Sequence, residues 1–263
     1  MKKIRLDKFL AKNNYFNSRA KAQFNIESET VKVNGKIITK KSYQVNYSDQ
    51  IEIIEEACPY VSKGGLKLEK AIKTFSLDFE GAEVLDIGAS TGGFTDCALK
   101  FGSKRVTSID VGTDQIDNSL LTDKRVNSIE RFNLRDINKN TFDRKFDFVV
   151  TDVSFISLKY VFEILDYVIK DNGKFIGLIK PQFELENKSH KGVVRSKKLH
   201  KYAIIQVLED ANKLGFYLKD ITYSPIKGSS GNIEFLTLFT RINIDINRKQ
   251  KVNQVVKNAH IEL

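Results

Sequence analysis

Four charged residues of this 263-residue sequence are candidates for one chemical site, and two of them end apolar runs. Asp152 and Lys180 each end an apolar run that reads as a buried strand, where a charge needs a partner or a function. Lysine and carboxylate side chains can hold or transfer protons. Ligands bind beyond the carboxyl ends of parallel strands, so both residues are candidates for a site. Lys67, on a predicted helix, and Glu234, before a late strand, could lie at the same edge.

A glycine-rich turn follows the apolar strand predicted at 84–87 and precedes a predicted helix. Strand, glycine-rich turn and helix form the nucleotide-binding corner of an open α/β sheet. The turn lacks the Gly-Lys-Ser/Thr of a Walker loop and is not a regular G-x-G-x-x-G. Asp86 precedes the turn, and Asp110 ends the next strand 24 positions later. That spacing is close to the one expected for a carboxylate that binds ribose hydroxyls.

The elements that must position these residues alternate in type along the chain. The patterns predict helices at 66–75, 94–99, 160–169 and 199–214, and strands at 84–87, 105–110, 147–154, 174–181, 221–225 and 235–240. A turn is expected at Asn172-Gly173, and the last two strands are expected to form an antiparallel edge pair. This order predicts a Rossmann-like α/β fold with a parallel sheet covered on both faces. The tail from Arg241 could form a short helix and has no functional interpretation.

The first 48 residues are strongly basic. They hold eleven Lys and Arg against three acidic residues, a local charge of +8 in a chain of +10. A solvated surface is one explanation, and a module that binds a polyanion such as nucleic acid is the favoured one. The patterns predict helices at 4–12 and 19–28, the second capped by Ser18, and then short strands around the Asn34-Gly35 turn, at 43–47 and at 51–54.

This segment resembles the S4-type RNA-binding domain. The resemblance rests on Arg5-Leu6-Asp7-Lys8-Phe9-Leu10, Ser18-Arg19-Ala20-Lys21-Ala22 and Val31-x-Val33-Asn34-Gly35, and covers about residues 3–55. In that family, the two helices and the strand turn present basic side chains to structured RNA. The residues implied here are Arg5, Lys8, Arg19, Lys21, Lys32 and Lys36, which could face phosphates without reading sequence.

The remainder resembles the FtsJ-like branch of the class I S-adenosylmethionine-dependent methyltransferases. Val84-Leu85-Asp86-Ile87-Gly88-Ala89-Ser90-Thr91-Gly92-Gly93-Phe94-Thr95-Asp96 is similar to motif I of that class. The cofactor implied is S-adenosylmethionine, and the implied cofactor-binding residues are Asp86, Gly88, Ala89, Ser90, Gly92, Gly93, Phe94, Asp110, Val111 and, more weakly, Asp136. The charged residues Lys67, Asp152, Lys180 and Glu234 match the Lys-Asp-Lys-Glu tetrad of FtsJ-like 2′-O-methyltransferases.

An S4-type domain joined to this fold is similar to the TlyA (hemolysin A) family, which methylates ribose 2′-hydroxyls of ribosomal RNA. The resemblance implies cytidine as the target nucleotide. The partner implied is ribosomal RNA within subunits or ribosomes. By this resemblance Lys180 orients or deprotonates the hydroxyl, Asp152 fixes Lys180, and Lys67 and Glu234 complete the network. Neighbouring carboxylates favour a charged lysine, while burial and a cationic cofactor oppose it, so base and positioning roles for Lys180 both stay open.

These assignments predict an S4-type domain at 1–58, a linker at 59–64, a methyltransferase domain at 65–245 and a tail at 246–263. The break falls at Glu55-Glu56-Ala57-Cys58-Pro59. No apolar run approaches the roughly 18 residues of a membrane span, and no signal peptide is evident, so a cytoplasmic protein without stable membrane insertion is expected. Two cysteines without a Cys-x-x-Cys pair indicate neither a disulfide framework nor a metal site.

Several alternatives compete with this interpretation: an NAD-type Rossmann domain, a purely structural α/β fold, a non-catalytic RNA-binding or ribosome-binding protein, and a membrane-active hemolysin. Methylation of an exocyclic amine is disfavoured because Asp152-Val153-Ser154-Phe155 contains no Pro-Pro turn. Cys97 is expected in the core rather than as a nucleophile. His190, His200 and His260 fit no metal spacing and are expected on the surface or in loops. The sequence does not indicate the oligomeric state.

Overall fold

The computed structural model describes residues 3–16, 18–27, 29–54, 58–185, 192–228, 230–243 and 247–263. The chain divides into two compact units, Met1–Lys63 and Gly64–Leu263. The predicted break at Glu55-Glu56-Ala57 and the expected surface position of His190 lie outside the described residues. No helix among the described residues combines the length and apolar character needed to cross a membrane.

The first unit is a small α+β fold. Its elements are β1 (Ile4–Arg5), α1 (Leu6–Lys12), α2 (Arg19–Glu27), β2 (Val31–Val33), β3 (Lys36–Ile37), β4 (Gln44–Val45) and β5 (Ile51–Ile53). β2 pairs with β3 and β5, and β1 pairs with β4, all antiparallel. Leu6, Phe9 and Leu10 of α1 pack with Ala22 and Ile26 of α2 to form its core. The predicted helix over 4–12 therefore begins two residues late, because Ile4 and Arg5 pair with β4 instead.

The N-terminus of α2 is capped as the sequence predicts, because the Ser18 hydroxyl accepts a hydrogen bond from the Lys21 amide at 3.1 Å. The Asn34-Gly35 turn also forms between β2 and β3, with both residues at positive φ. These two local signals are confirmed because each depends on a few adjacent residues.

The second unit contains a mixed sheet of seven strands within the described residues, in the order β11-β12-β10-β9-β6-β7-β8. The strands are β6 (Glu83–Ile87), β7 (Arg105–Ile109), β8 (Val126–Ile129), β9 (Phe146–Thr151), β10 (Ile169–Ile179), β11 (Tyr217–Tyr223) and β12 (Phe235–Thr240). β10, β9, β6, β7 and β8 run parallel. β12 and β11 are antiparallel, as predicted. The predicted α/β class is confirmed.

The helices of this unit are α3 (Gly64–Thr74), α4 (Gly93–Lys100), α5 (Asn118–Leu121), α6 (Lys159–Val168), α7 (Pro181–Glu184), α8 (Lys197–Lys213) and α9 (Arg248–Glu262), with a 3₁₀ turn at Leu134–Asp136. α3 packs on α4, and α8 packs on both α6 and α9. Every residue of β12 is buried, so this strand is covered on both faces. The tail predicted to form a short helix is the four-turn helix α9.

One prediction about local structure is wrong, and one strand was not predicted. Asn172-Gly173 does not interrupt the strand but lies inside β10, where the register against β9 shifts between Ile169 and Lys174. β8 is missing from the predicted elements because its residues Val126-Asn127-Ser128-Ile129 carry little apolar pattern, and its pairing with β7 is what defines it.

The sheet order places its switch point at β6. From β6, the chain goes to β7 and β8 on one side and later returns to β9 and β10 on the other. Parallel sheets bind ligands at the carboxyl ends of strands where the order reverses. The loops after β6 and β9 therefore border the expected ligand crevice.

Candidate active site

The turn after β6 is shaped by two glycines. Gly88 has φ of 79°, and a Cβ built on it would lie 2.9 Å from Cγ1 of Val153, in the loop after β9. Gly92 has φ of 90°, precedes α4, and a Cβ there would lie 2.3 Å from Cδ1 of Leu120. Both positions therefore favour glycine by conformation, and a Cβ at either one would require a neighbouring side chain to shift. Gly88 thus lets the loops after β6 and β9 come into contact, and Gly92 lets the turn pack against Leu120 of α5.

A cavity of about 560 Å³ opens at the carboxyl ends of β6, β7, β8 and β9. The predicted residues Gly88, Ser90, Asp110 and Val111 line it, together with Phe132, Asn133, Leu134 and Arg135 after β8. Asp110 accepts hydrogen bonds from the amides of Ser90 at 2.8 Å and Gly112 at 2.7 Å. This carboxylate thus joins the glycine turn to the loop after β7 and lies at the cavity wall.

Other predicted cofactor residues lie behind this cavity. Asp86 is buried, accepts a hydrogen bond from the Thr95 hydroxyl at 2.7 Å, and burial raises its pKa to about 7. Ala89, Gly92, Gly93 and Phe94 are also buried, in the turn and at the start of α4. Asp136 is exposed on the 3₁₀ turn and does not line the cavity, whereas its neighbours Leu134 and Arg135 do.

The four charged residues singled out in the sequence form one network. The Lys67 ammonium lies 2.9 Å from Oδ2 of Asp152 and 2.8 Å from Oε2 of Glu234. The Lys180 ammonium lies 2.6 Å from Oδ1 of Asp152. Asp152 therefore bridges both lysines, and two positive charges face two negative ones. The network comes from α3 and from the ends of β9, β10 and β12.

This network is largely removed from water. Only 8% of the Lys67 side chain, 9% of Lys180 and 3% of Glu234 are exposed, against 20% of Asp152. Burial by itself disfavours a charged lysine, but the carboxylates of Asp152 and Glu234 outweigh it, so the pKa of Lys67 is raised. Lys67 is therefore a fixed cation that holds the two carboxylates in place.

The Lys180 ammonium has further contacts. It donates to the Ser154 hydroxyl at 2.8 Å, and the Asp152 carbonyl oxygen lies 3.4 Å away. These contacts hold Nζ at one point above the end of β10. Ser154 is missing from the predicted site residues, although its position two residues after Asp152 is a signal that could have indicated it.

A second cavity of about 770 Å³ begins where the first ends. Lys180 and Glu234 line it, together with Tyr160, Gln182, Phe183, Leu185, Gly192 and Ser230. Arg135, Ser154, Phe155 and Ile156 line both cavities. Asp152 lines the first cavity and Lys180 the second, so the charged network lies between them. The arrangement suits a reaction between two bound molecules.

Phe155 is a further residue that sequence reasoning missed. Its side chain is 91% exposed, its φ is 64°, and its ring centroid lies 5.0 Å from that of Phe183. A bulky residue at positive φ is strained, and such strain clusters at functional sites. Phe155 thus presents an aromatic face at the boundary of the two cavities.

The histidines differ from expectation. His200 lies in α8, is completely buried and contacts His260 of α9, so the expected surface or loop position is wrong for His200. Two ring nitrogens with hydrogen-bond partners make this burial possible. Cys97 is buried in α4, which confirms its expected place in the core. In the described part of the chain, no cluster of three or more His, Cys, Asp or Glu could hold a metal ion.

The first unit places Asp7 among predicted RNA-binding residues. The buried Asp7 carboxylate accepts hydrogen bonds from Arg5, Arg19 and Gln23 at 2.7 to 3.1 Å. Burial opposes its charge, but these donors outweigh burial and hold the pKa of Asp7 far below its usual value. Arg5 and Arg19 are thus tied to the fold. Lys8 and Lys36 are exposed, and Lys21 and Lys32 are half-buried.

Comparison with known proteins supplies the context for this geometry. The profile of the FtsJ-like methyltransferases matches residues 60–241, and that of the S4 domain matches residues 4–51. Hemolysin A of Brachyspira hyodysenteriae is 42% identical over 90% of this chain and 99% of its own length. The 16S/23S rRNA (cytidine-2′-O)-methyltransferase TlyA of Mycobacterium tuberculosis is 32% identical over 93% of this chain and 92% of its own.

A solved structure agrees with these relatives. A protein of Streptococcus thermophilus provisionally named hemolysin is 36% identical, with a TM-score of 0.79 over 100% of this chain and 97% of its own. The similarity in sequence and in fold therefore extends over both units.

Proposed function

The chain belongs to the family of FtsJ-like methyltransferases that carry an S4 domain, and we propose that it methylates the ribose 2′-hydroxyl of cytidine in ribosomal RNA. The observation that carries this proposal is the position of Lys180. Its ammonium is fixed by Asp152 and Ser154 between two adjoining cavities. A hydroxyl acceptor in one cavity and a methyl donor in the other would meet at that point.

The first cavity fits S-adenosylmethionine. Asp110 offers a carboxylate for ribose hydroxyls, and Gly88 lines the wall with backbone atoms alone. Ser90, Val111 and the residues after β8 supply the rest of the wall. Bound there, the cofactor supplies a methyl group on a sulfonium. Gly88, Ser90, Asp110 and Val111 are the residues proposed to hold it.

The second cavity is the proposed place of the target nucleotide. Lys180 contacts the ribose 2′-hydroxyl and holds its oxygen toward the first cavity. Asp152 and Ser154 keep Nζ in position, while Lys67 holds Asp152 and Glu234. Two lysines and two carboxylates face one another in this network, and the proposed role of Lys180 is to orient the hydroxyl. As a base, Lys180 must first lose a proton to a group outside the network.

The S4 unit is proposed to capture the RNA. Its basic residues Arg5, Lys8, Arg19, Lys21, Lys32 and Lys36 provide charge that is independent of sequence. The M. tuberculosis relative is named for both 16S and 23S rRNA, so substrates from both ribosomal subunits are proposed for this chain.

The test is methyl transfer from radiolabelled S-adenosylmethionine to small subunits, large subunits, assembled ribosomes and naked rRNA. We expect label in RNA at a cytidine whose 3′ phosphodiester resists alkaline cleavage. Lys180→Ala should abolish transfer and retain cofactor binding. Lys174→Ala, which changes a lysine in the middle of β10 that lines neither cavity, is the matched control and should retain transfer.

Each other outcome has a definite meaning. Label in a nucleotide that alkali still cleaves would show that the base is methylated and the ribose is not. Transfer by Lys180→Ala would remove Lys180 from the mechanism. Failure to bind S-adenosylmethionine would contradict the assignment of the first cavity.

A further inference from the structure

Asn232 lies two residues before Glu234, and its side-chain amide is fully engaged. Oδ1 accepts a hydrogen bond from the Val194 amide at 2.8 Å. Nδ2 donates to the Gly192 carbonyl at 2.8 Å and to the Ser230 hydroxyl at 3.1 Å. The orientation of the amide is fixed, because the Val194 N–H needs an acceptor and the Gly192 carbonyl needs a donor. Asn232 itself is completely buried.

The partners of Asn232 form part of the wall of the second cavity. Gly192 and Ser230 both line that cavity, with Lys180 and Glu234. Asn232 itself is not one of the residues that line this cavity in the described part of the chain. One amide behind the wall therefore joins the segment 192–194 to the turn that leads into Glu234.

The segment 192–194 is held from its other side by a pair of histidines. The Val194 carbonyl lies 2.9 Å from Nε2 of His200, and Nδ1 of His200 lies 2.9 Å from Nε2 of His260. A carbonyl only accepts, so Nε2 of His200 carries the proton and Nδ1 is the acceptor. His260 must then donate. Its N–H orients the His200 ring. The N–H of Val194 is thus bound by Asn232, and its carbonyl oxygen is bound by His200.

We propose that Asn232 is a positioning residue for the RNA substrate, supported through Val194 by His200 and by His260 of the C-terminal helix α9. This inference rests on the proposed function, because it assigns the second cavity to the target nucleotide. The hydrogen bonds set the distance between the segment 192–194 and the turn that precedes β12. That distance decides whether a nucleotide in the cavity brings its hydroxyl to Lys180. α9 thereby receives a role in substrate positioning.

Two features distinguish this role from ordinary core packing. Burying an amide costs free energy unless its bonds are made, whereas an apolar residue would fill the same space without directed contacts. The cofactor cavity contains none of the residues held by Asn232. A defect at Asn232 should therefore affect the RNA substrate and spare cofactor binding.

The test uses the full chain with Asn232→Asp, which preserves size but replaces the Nδ2 donor with an oxygen that faces the Gly192 carbonyl. We expect the KM for rRNA to rise at least tenfold and the rRNA dissociation constant to rise with it. The dissociation constant for S-adenosylmethionine should stay within twofold, and kcat should fall less than KM rises. Thr237→Val is the control for lost stability. It removes the buried hydrogen bond from Thr237 of β12 to the Gly177 carbonyl of β10, away from the cavity.

The histidine branch has its own matched pair. His260→Gln retains an N–H that can donate to His200, and His260→Leu does not. We expect His260→Leu to raise the KM for rRNA several-fold and His260→Gln to restore most of it.

An unchanged KM and rRNA affinity in Asn232→Asp, with a loss of stability like that of Thr237→Val, would overturn the positioning role. An equal loss of cofactor affinity would also overturn it. Absence of methyl transfer by the wild-type chain would instead contradict the proposed function. In that case the rRNA dissociation constants of the variants would still decide whether Asn232 shapes an RNA-binding cavity.

Discussion

At the scale of single residues, Lys67, Asp152, Lys180 and Glu234 bring two positive and two negative charges together in a largely buried network. Lys67 is the one residue that contacts both Asp152 and Glu234 within the network. Removing one partner of a buried ion pair leaves an uncompensated charge, which costs about 3 to 5 kcal/mol. The same lysine that supports the site is therefore expected to support the fold.

Lys67→Met is expected to lower the free energy of unfolding by about 3 kcal/mol, because two carboxylates then face one lysine. Adding Glu234→Gln should recover part of that loss by removing one carboxylate charge. Urea unfolding of both variants checks this. Lys73→Met, at an exposed lysine of the same helix, is the control and should change stability little. A double variant less stable than Lys67→Met would refute charge balance as the cause.

The histidine pair predicts how stability depends on pH. Burial lowers the pKa of His200 from 6.5 to about 4, and the neighbouring His260 acts in the same direction. The pKa of His260 is also lowered, by burial and by the charge of Lys197. Between pH 6.5 and about 4, His200 is protonated in the unfolded chain and neutral in the folded chain. The contribution of His200 is therefore fully present above pH 6.5 and is lost as pH falls toward 4.

The loss between pH 6.5 and 4 is expected to reach about 3 kcal/mol, from 1.4 kcal/mol per unit of pKa shift. Chemical denaturation across this window checks the expectation. His200→Gln retains a donor for Val194 but cannot titrate in this range, so its stability should vary less with pH. An equally steep profile in His200→Gln would assign the acid sensitivity to other groups.

At the scale of elements, contact between two loops shapes the cavity that we propose for the cofactor. Gly88 after β6 lies against Val153 after β9, and Val153 adjoins Asp152 of the tetrad. A side chain at Gly88 would therefore disturb both the cofactor wall and the charged network. Gly81 also has positive φ, 67°, but a Cβ there would have no atom within 4 Å.

Gly88→Ala is expected to weaken S-adenosylmethionine binding at least tenfold and to slow methyl transfer, because the new Cβ must displace Val153. Gly81→Ala shares the backbone strain without the collision, so it should cost only about 1 kcal/mol of stability and leave cofactor affinity unchanged. Calorimetric titration and thermal unfolding of both variants check this. Equal cofactor affinity in the two variants would show that the contact with Val153 is not decisive.

At the scale of the whole molecule, charge is divided unevenly between the two units. Residues 1–48 carry +8 of the net +10, so the rest of the chain is nearly balanced. Binding through phosphates releases counterions and weakens as salt rises. The affinity for rRNA should therefore fall steeply with salt, mainly through the S4 unit.

Lys36→Ala is expected to weaken rRNA binding several-fold at low salt and to reduce the slope of log affinity against log salt by about one. The melting temperature should not change, because Lys36 is exposed. Arg19→Ala should weaken binding similarly and also destabilise the fold, because Arg19 is bound to the buried Asp7. Filter binding over a salt series and thermal unfolding separate the two effects. A slope unaffected by Lys36→Ala would remove that residue from the RNA surface.

The sequence by itself determined the class of fold, the glycine turn between β6 and α4, and the identity of the four charged residues. The glycine turn is a local signal because positive φ favours glycine, and the charges of Asp152 and Lys180 end apolar runs that are visible in adjacent residues. Lys67 and Glu234 were identified through the resemblance to FtsJ-like methyltransferases. β8 and the start of α1 escaped prediction, because pairing with distant strands defines them.

Only the tertiary structure decided which side chains meet. It brought Lys67 to Asp152 and Glu234, placed Ser154 beside Lys180, and joined Asn232 to Gly192 and Val194. It also buried His200, whose sequence neighbours Lys198 and Lys201 suggest an exposed position. Such contacts depend on the order of strands and the packing of helices, since the interaction energy of two side chains is set by their distance in space, and a sequence gives only their distance along the chain.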